Sequence, residues 1–343
     1  MASGYSPRRN WKIGVYWSLN CDDCSALNLQ ATLKYRIPGQ PIVELHGAFC
    51  LLDNPKSFEG FLLSDFQAQK FYGFVEGASE PDFPSPQQPI VISEDAYLNL
   101  AHEFIHYLQD LNIGKAILSR VKAIPANQTT QNDLFLQLVA NYQNAFCYSI
   151  EHSHIGNWIG ATPEILLSVS NGVGATMSLA GTKPVNDKQN WGEKELHEQQ
   201  LVTDFIQHII QENCTNVEVS NRGELVAGPV VHLIHRFQFL VNKEKEWNLI
   251  TSLHPTPAVS GFPRDKALKC IANFELHERE FYAGIIGIKS EKQTQLYVNL
   301  RCGQFIENNL YAFVGGGLTQ ASEPQKEWLE TEKKAETLAK FMA

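Results

Sequence analysis

Strand-patterned apolar runs alternate along this chain with well-separated amphipathic helices, and that alternation limits the architecture more than any other feature. Lys115-Ala-Ile-Leu-Ser-Arg-Val reads as a strand and Asp133–Ala145 as a helix. Ile159–Ser170 and Ala175–Leu179 read as strands parted by the turn Ser170-Asn-Gly. A long amphipathic helix covers Glu193–Glu212, Gln295–Cys302 and Leu310–Val314 form a strand pair joined at Glu307-Asn-Asn, and Pro324–Met342 is a helix. Long strands with the helices held apart predict a mixed α/β or α+β sandwich rather than a regular doubly wound sheet. There is no GxGxxG or Walker loop to support a nucleotide fold.

Upstream, Met1–Asn10 reads as a loose arm, and short apolar runs from Trp11 to about Tyr72, such as Pro41-Ile-Val-Glu-Leu-His-Gly, read as strands. Pro81, Pro84, Pro86 and Pro89 make Ser79–Pro89 the best linker candidate, leading into a helix over Glu94–Leu108. Residues 1–90 are therefore expected to form an N-terminal part of the sandwich, and 91–343 the region that carries the chemistry, together as one compact body. With 343 residues, 43% of them hydrophobic, the core needs no staples. The formal charge of −9 and the lack of a long basic stretch argue against nucleic acid as a partner. An anionic ligand would then need a metal or a few well-placed cations. Seven scattered cysteines, with only Cys21 and Cys24 as a CxxC pair, read as free thiols in a reducing compartment rather than a zinc ribbon. No apolar run reaches about 18 residues and Met1–Trp11 lacks an apolar signal core, so the expectation is a cytoplasmic monomer without a membrane segment.

Two helical segments repeat one acidic device. Glu195 and Glu198 are three apart, as are Glu327 and Glu330, so each pair shares a helix face. Facing pairs would supply the hard oxygens that Mg²⁺ favours; taken singly, each is an ordinary solvated surface. Lys334, four residues after Glu330, is either a surface ion pair or a cation for a substrate anion. Lys115 shares its strand face with Ile117 and Ser119, where desolvation would suit a general base, or its ammonium simply reaches water. Glu164 opens the apolar Ile-Leu-Leu-Ser-Val run as an acid with a raised pKa or as a strand-edge charge. Val314-Gly-Gly-Gly-Leu brings bare backbone close to a ligand carboxylate or makes a tight bend. Tyr297, Asn299 and Arg301 are expected on one strand face, a polar row ending in a carboxylate-binding fork or an edge facing solvent.

The order and spelling of the segments go further. Ile159-Gly-Ala-Thr-Pro-Glu-Ile-Leu, Leu179-Ala-Gly-Thr, Lys194-Glu-Leu-His-Glu, His254-Pro-Thr-Pro-Ala-Val-Ser-Gly-Phe-Pro and Arg279-Glu-Phe-Tyr-Ala-Gly occur in that sequence. Asn299-Leu-Arg-Cys, Val314-Gly-Gly-Gly-Leu and Glu327-Trp-Leu-Glu-Thr-Glu-Lys-Lys follow. Together, over about Leu111–Met342, they resemble the chorismate-binding enzymes: isochorismate, salicylate, anthranilate and aminodeoxychorismate synthases. The resemblance implies an α+β sandwich with large, mostly antiparallel sheets and outer helices, and chorismate as the small-molecule substrate. It implies Mg²⁺ held directly by Glu198 and Glu330 with Glu195 and Glu327 in support, the acidic pairs converging. Lys334 and Gly315–Leu318, with Gly315 and Gly317, would hold the ring carboxylate; Arg301 would take the enolpyruvyl carboxylate; Tyr282, Leu300, Ala258 and Val259 would shape the pocket; His232 and Gly181 match further site positions. Glu164 would protonate the departing C4 hydroxyl while Lys115 activates water for attack at C2. Lys115 stands where anthranilate synthases usually have glutamine, and Ala180 where aminodeoxychorismate synthases often have a nucleophilic lysine. Both point to water as nucleophile and to the isochorismate branch, with salicylate synthase as the alternative. Lys183 departs from the arginine usual after Ala-Gly-Thr. Menaquinone, siderophore and salicylate metabolism all remain open as destinations of the product.

Overall fold

The computed structural model describes residues 31–78, 86–153 and 155–342. The arm Met1–Asn10, the Cys21–Cys24 pair and residues 79–85 of the proline segment lie outside the described residues. Four strands come first: β1 (Ala31–Arg36), β2 (Val43–Leu51), β3 (Gly60–Ser64) and β4 (Phe71–Glu76). Helix α1 (Glu94–Asp110) begins where Ser93 accepts a hydrogen bond from the Ala96 N–H. Strand β5 (Lys115–Pro125), helix α2 (Gln131–Asn141) and strands β6 (Phe146–Glu151), β7 (Asn157–Thr162), β8 (Ile165–Ser170) and β9 (Val173–Pro184) follow. Next are α3 (Glu193–Asn213), β10 (Thr215–Val219), β11 (Gly223–Ala227), β12 (Val230–Leu240), α4 (Lys243–Leu253), β13 (Gly261–Phe262) and α5 (Arg264–Phe274). The chain then runs through β14 (Ile285–Lys289), β15 (Gln293–Val298), β16 (Cys302–Ile306), β17 (Asn309–Leu318) and α6 (Pro324–Ala339).

Every pairing between these strands is antiparallel. Followed through their partners, they form one continuous ribbon. A first leaf runs β13–β5–β17–β16–β7–β6 and meets β1. From β1 the ribbon continues through β2, β4, β3, β14, β15, β8, β9 and β12, with β10 and β11 on its far edge, as a second leaf. The leaves fold face to face: Phe146 of the first stacks on Tyr297 of the second with ring centroids 4.7 Å apart. Helices α2, α5 and α6 cover the first leaf and α3 the second. This is the expected α+β sandwich. Strands β1 and β3, from the part expected to be N-terminal, pair with β6 and β14 of the later part. No helix among the described residues is long and apolar enough to cross a membrane.

Several expected elements are corrected. The Ile159–Ser170 strand is two strands, because the chain leaves the first leaf at Thr162 and enters the second at Ile165. The Gln295–Cys302 strand is likewise broken at Asn299-Leu300-Arg301, where Arg301 takes φ +52°. Tyr297, Asn299 and Arg301 therefore do not form one row on a strand face. The segment Gly315–Leu318 is no bend or loop but the end of β17, paired through to Leu318 opposite Ala116. Helix α2 starts earlier than expected because Thr130 and Asp133 form a reciprocal cap, and it ends at Asn141 because a turn from Tyr142 to Ala145 launches β6. Helix α6 stops at Ala339 rather than Met342.

Trp158 of β7 is fully buried in the core: its ring stacks on Phe313 of β17 at 5.2 Å, meets the edge of Phe281 at 5.5 Å, and its indole N–H donates to the Ile155 carbonyl. Trp158→Ala should lower the unfolding free energy by about 3–5 kcal/mol, as a large buried ring leaves a cavity and an unpaired carbonyl. Urea unfolding followed by far-ultraviolet circular dichroism measures this, and a loss below about 1 kcal/mol would show that the core does not depend on the ring.

Candidate active site

Both breaks in the expected strands are places where the chain passes from one leaf to the other, and they lie side by side. The Val298 N–H donates to the Glu164 carbonyl at 3.0 Å, the Thr162 hydroxyl to the Val298 carbonyl at 2.6 Å, and the Ala161 N–H to the Arg301 carbonyl at 3.1 Å. Two bulges flank this seam. Leu166 is unmatched between the pairs Leu296–Leu167 and Tyr297–Ile165, and Gly181 is unmatched between His232–Thr182 and Leu233–Ala180. Gly181 adopts φ +69°, and a Cβ there would come 3.1 Å from the Glu195 carbonyl, so a glycine lets α3 approach β9.

Glu164 is thereby held at the seam, 3% exposed. Burial pushes its carboxyl up to about 7, although Lys115, Lys334 and Arg301 all favour its charged form. Arg301 is also buried. Its guanidinium donates to the Thr337 hydroxyl at 2.9 Å and to His232 Nε2 at 2.8 Å. His232 must therefore accept at Nε2 and donate from Nδ1, which lies 3.1 Å from both the Gly181 carbonyl and the Thr182 hydroxyl. Burial, reinforced by Arg301 and Lys334, holds its pKa far below the ordinary value, so it serves as a neutral brace.

Lys115 opens β5 with 1% exposure, and its ammonium lies 2.7 Å from Glu198 Oε1 on the first turns of α3. Gly315 and Gly317 of β17 lie opposite Ser119 and Ile117. A Cβ on Gly317 would strike Glu198 Oε1 at 2.4 Å and the Lys115 Cε at 2.6 Å; one on Gly315 would meet the Tyr282 hydroxyl at 3.0 Å. From the other face of the strand, a Cβ on Gly316 would sit 3.1 Å from Glu327 Oε2 and 4.0 Å from Glu330 Oε1. Bare backbone thus lets α3 set Glu198, and α6 set Glu327 and Glu330, close against the end of β17 from its two faces. Lys334 bonds both Glu330 Oε1 at 2.6 Å and the Gly315 carbonyl at 2.8 Å. Glu327, 1% exposed, pairs with Lys194 of α3. Burial and then the charge of Glu330 push Glu327 up to about 7, whereas Lys334 and Lys194 overcome burial to hold Glu330 below the usual range. Glu195 is not drawn into this cluster: its carboxylate turns back toward Gly192, where a Cβ would come 2.6 Å from Oε2.

Of the remaining expected residues, Val259 is buried and its carbonyl accepts from Arg279, while Ala258 and Leu300 are half-buried against the same core. Sequence reasoning did not single out Lys194, Thr182 or Thr337. Lys194 had a signal, since it lies four residues before Glu198 on one helix face. Thr182 lay within the Leu179-Ala-Gly-Thr segment but was given no role, and Thr337 had no signal, because its role depends on contacts across the fold. Among the described residues no three His, Cys, Asp or Glu side chains stand ready as a metal cage. The donor set nevertheless suits a hard divalent cation: α3 and α6 both set carboxylates against the glycine strand, and among the described residues Glu327 Oε2 is buried without a hydrogen-bond partner.

Residues 65–343 match the family described as chorismate binding enzyme. The chain is 30% identical over 240 residues to isochorismate synthase EntC of Escherichia coli strain K12, a match covering 66% of this chain and 61% of that protein. The chain thus spans about three-fifths of that relative's length. The structure of MenF, the menaquinone-specific isochorismate synthase from Escherichia coli, superposes with a TM-score of 0.74 at 19% identity, covering 92% of this chain and 89% of that one. Anthranilate synthase component I from Streptococcus pneumoniae gives 0.68 at 16% identity over 94% and 95%.

The raised Glu164 carboxyl makes stability depend on pH with a definite sign. Between the ordinary glutamate value of 4.5 and about 7, the folded chain keeps a proton that the unfolded chain has released. Stability therefore falls as pH rises through that window, and Glu327 contributes in the same direction. Glu164→Gln should lose part of this slope and gain stability relative to wild type at pH 8. Denaturant midpoints measured from pH 4.5 to 8 test this, and parallel curves for the two proteins would contradict the placement of the proton.

Proposed function

The chain belongs to the chorismate-binding enzyme family, and on that premise we propose that it is an isochorismate synthase, converting chorismate reversibly to isochorismate. The observation that carries this reading is the buried Glu164 carboxyl, poised near neutrality within the fields of Lys115, Lys334 and Arg301. A site with one proton donor, one amine and two further fixed cations suits a dianionic substrate that must lose a hydroxyl and gain another.

Arg301, its fork oriented by His232 and Thr337, binds the enolpyruvyl carboxylate. Lys334 and the backbone of Gly315–Gly317 hold the end that carries the ring carboxylate, and Tyr282, Leu300, Ala258 and Val259 line the ring. Lys115, as the neutral amine once its ammonium proton has left, takes a proton from the water that attacks C2, and Glu164 gives one to the hydroxyl leaving C4 on the opposite face. Glu198 and Glu330, supported by Glu327, are the residues that would hold Mg²⁺; Glu195, turned toward Gly192, is left out of that set. When bound, the ion supplies positive charge for the ring carboxylate and polarises the ring. Lys115 and Ala180 favour water over ammonia, as lysine can take a proton from water and Ala180 offers no amine nucleophile.

Three results are expected. Chorismate and Mg²⁺ incubated with the protein and followed by timed chromatography should give a mixture of chorismate and isochorismate, approached from either side, with little pyruvate. Salicylate with stoichiometric pyruvate would assign the salicylate branch instead, and an aminated product formed with ammonium would overturn the role of Lys115. Glu164→Gln should slow turnover by about 10²–10⁴, and Lys115→Ala should remove it; a variant within a few-fold of wild type would displace that residue from its role. Excess EDTA, or Glu198→Ala or Glu330→Ala, should abolish activity with the far-ultraviolet spectrum unchanged.

A further inference from the structure

The three carboxylates set against the glycine strand are matched one to one by ammonium groups: Glu198 by Lys115, Glu330 by Lys334 and Glu327 by Lys194. Lys115 and Lys334 have duties toward substrate in the reading above, on which this inference rests. Lys194 has none, yet it is the lysine that joins the two acidic helices, since it rises from α3 and pairs with the buried Glu327 of α6. Its charge is opposed by burial but is sustained first by Glu327 and then by Glu198 and Glu330. One ammonium therefore lies in the combined field of all three carboxylates of the proposed metal site.

We propose that Lys194 is a built-in counter-cation of the metal site: it holds α3 to α6 by neutralising their carboxylates, and a divalent cation must compete with it for them. Two physical points support this. A buried carboxylate such as Glu327 is costly unless a cation is close, so some positive charge has to stand there when no metal does. A second cation at the same carboxylates repels the first, and at low effective dielectric that repulsion is large. Lys194 is a positioning residue, since no step of the proposed reaction touches it. It sets how tightly the metal binds and keeps the acidic helices from parting without it, so metal affinity is tuned by a side chain that is not a ligand.

The test uses Mn²⁺ as the probe, counted by electron paramagnetic resonance of the free ion, with no substrate present. Lys194→Gln keeps a hydrogen-bond donor near Glu327 and removes the charge; Lys194→Arg keeps the charge. The Gln variant should bind Mn²⁺ more tightly than wild type by about tenfold or more, while the Arg variant stays within about threefold of wild type, as its charge is unchanged. In EDTA the Gln variant should melt at a lower temperature than wild type, and saturating Mn²⁺ should raise its melting temperature by more. Equal or weaker Mn²⁺ binding by Lys194→Gln would overturn the proposal. If that variant does not fold in EDTA, recovery of its circular dichroism on adding Mn²⁺ supports the proposal, and failure to fold at any Mn²⁺ concentration overturns it. Wild type and Glu330→Gln measured alongside separate the two levels of the argument. A wild type that binds no Mn²⁺ defeats the metal reading itself; a wild type that binds, with Glu330→Gln weakened and Lys194→Gln unchanged, defeats only the role of Lys194.

Discussion

The structure depends on two neighbouring crossovers, Pro163-Glu164 and Asn299-Leu300-Arg301, at which the chain changes leaf. The antiparallel ribbon is open at both edges but folded over on itself, and at this seam two stretches of chain pass side by side from one leaf to the other. Here the backbones of the two crossovers satisfy one another, through Val298 N–H to the Glu164 carbonyl and Ala161 N–H to the Arg301 carbonyl. The price of buried irregular backbone is met by those bonds. Because the two crossovers are fixed to each other, so are an acid and an arginine that lie far apart in sequence. The bulges at Leu166 and Gly181 continue the same solution, letting the second leaf bend around the seam and bringing α3 against β9.

Charge balance is the second condition. Lys115, Glu164, Arg301, Glu327 and His232 are all buried at or around the seam. Few such groups can stay ionised in low dielectric without partners, and the site resolves this differently at each. Glu198 and Glu330 each have a lysine; Glu327 has Lys194 but is buried beside Glu330 and still rises to about 7; Arg301 has the lone pair of a neutral histidine and a threonine hydroxyl; Glu164, with cations nearby but no ion pair among the described residues, also rises to about 7. A carboxyl kept near neutrality beside fixed positive charge is suited to giving up a proton, while a histidine prevented from protonating is suited only to orienting its neighbour.

Much of this was legible in the sequence, for physical reasons that differ by element. Helices α1, α3 and α6 declare themselves by amphipathic spacing, helped by a capping serine before α1 and an early proline in α6. Strand β5 was readable from its apolar run, and Lys115 does share a face with Ile117 and Ser119. What could not be read were the crossovers. A run such as Gln295–Cys302 keeps its strand pattern through Asn299–Arg301, and nothing local says that half of it pairs with β14 and β8 while the rest pairs with β7 and β17. The tight-bend alternative for the triple glycine fails for the same reason: the segment stays paired in β17, and its smallness makes room for side chains arriving from other elements. The pairing of Glu327 with Lys194 joins α6 to a helix more than a hundred residues earlier, and only the fold could supply it.

The seam also has a consequence for how the chain is made. Hairpins such as β6–β7 and β16–β17 are local and can form early, but the site is assembled from β5, the β7–β8 crossover, α3, the β15–β16 crossover and α6. Contacts of such long sequence separation form only after large loops have closed, which places them late in folding. A nascent chain still lacking α6 can hold most of its sheet pairing and yet own no complete binding site. Competence toward ligand then arrives when α6 packs against β17 rather than by degrees, so that ligand binding, rather than secondary structure, reports that the long-range contacts have closed.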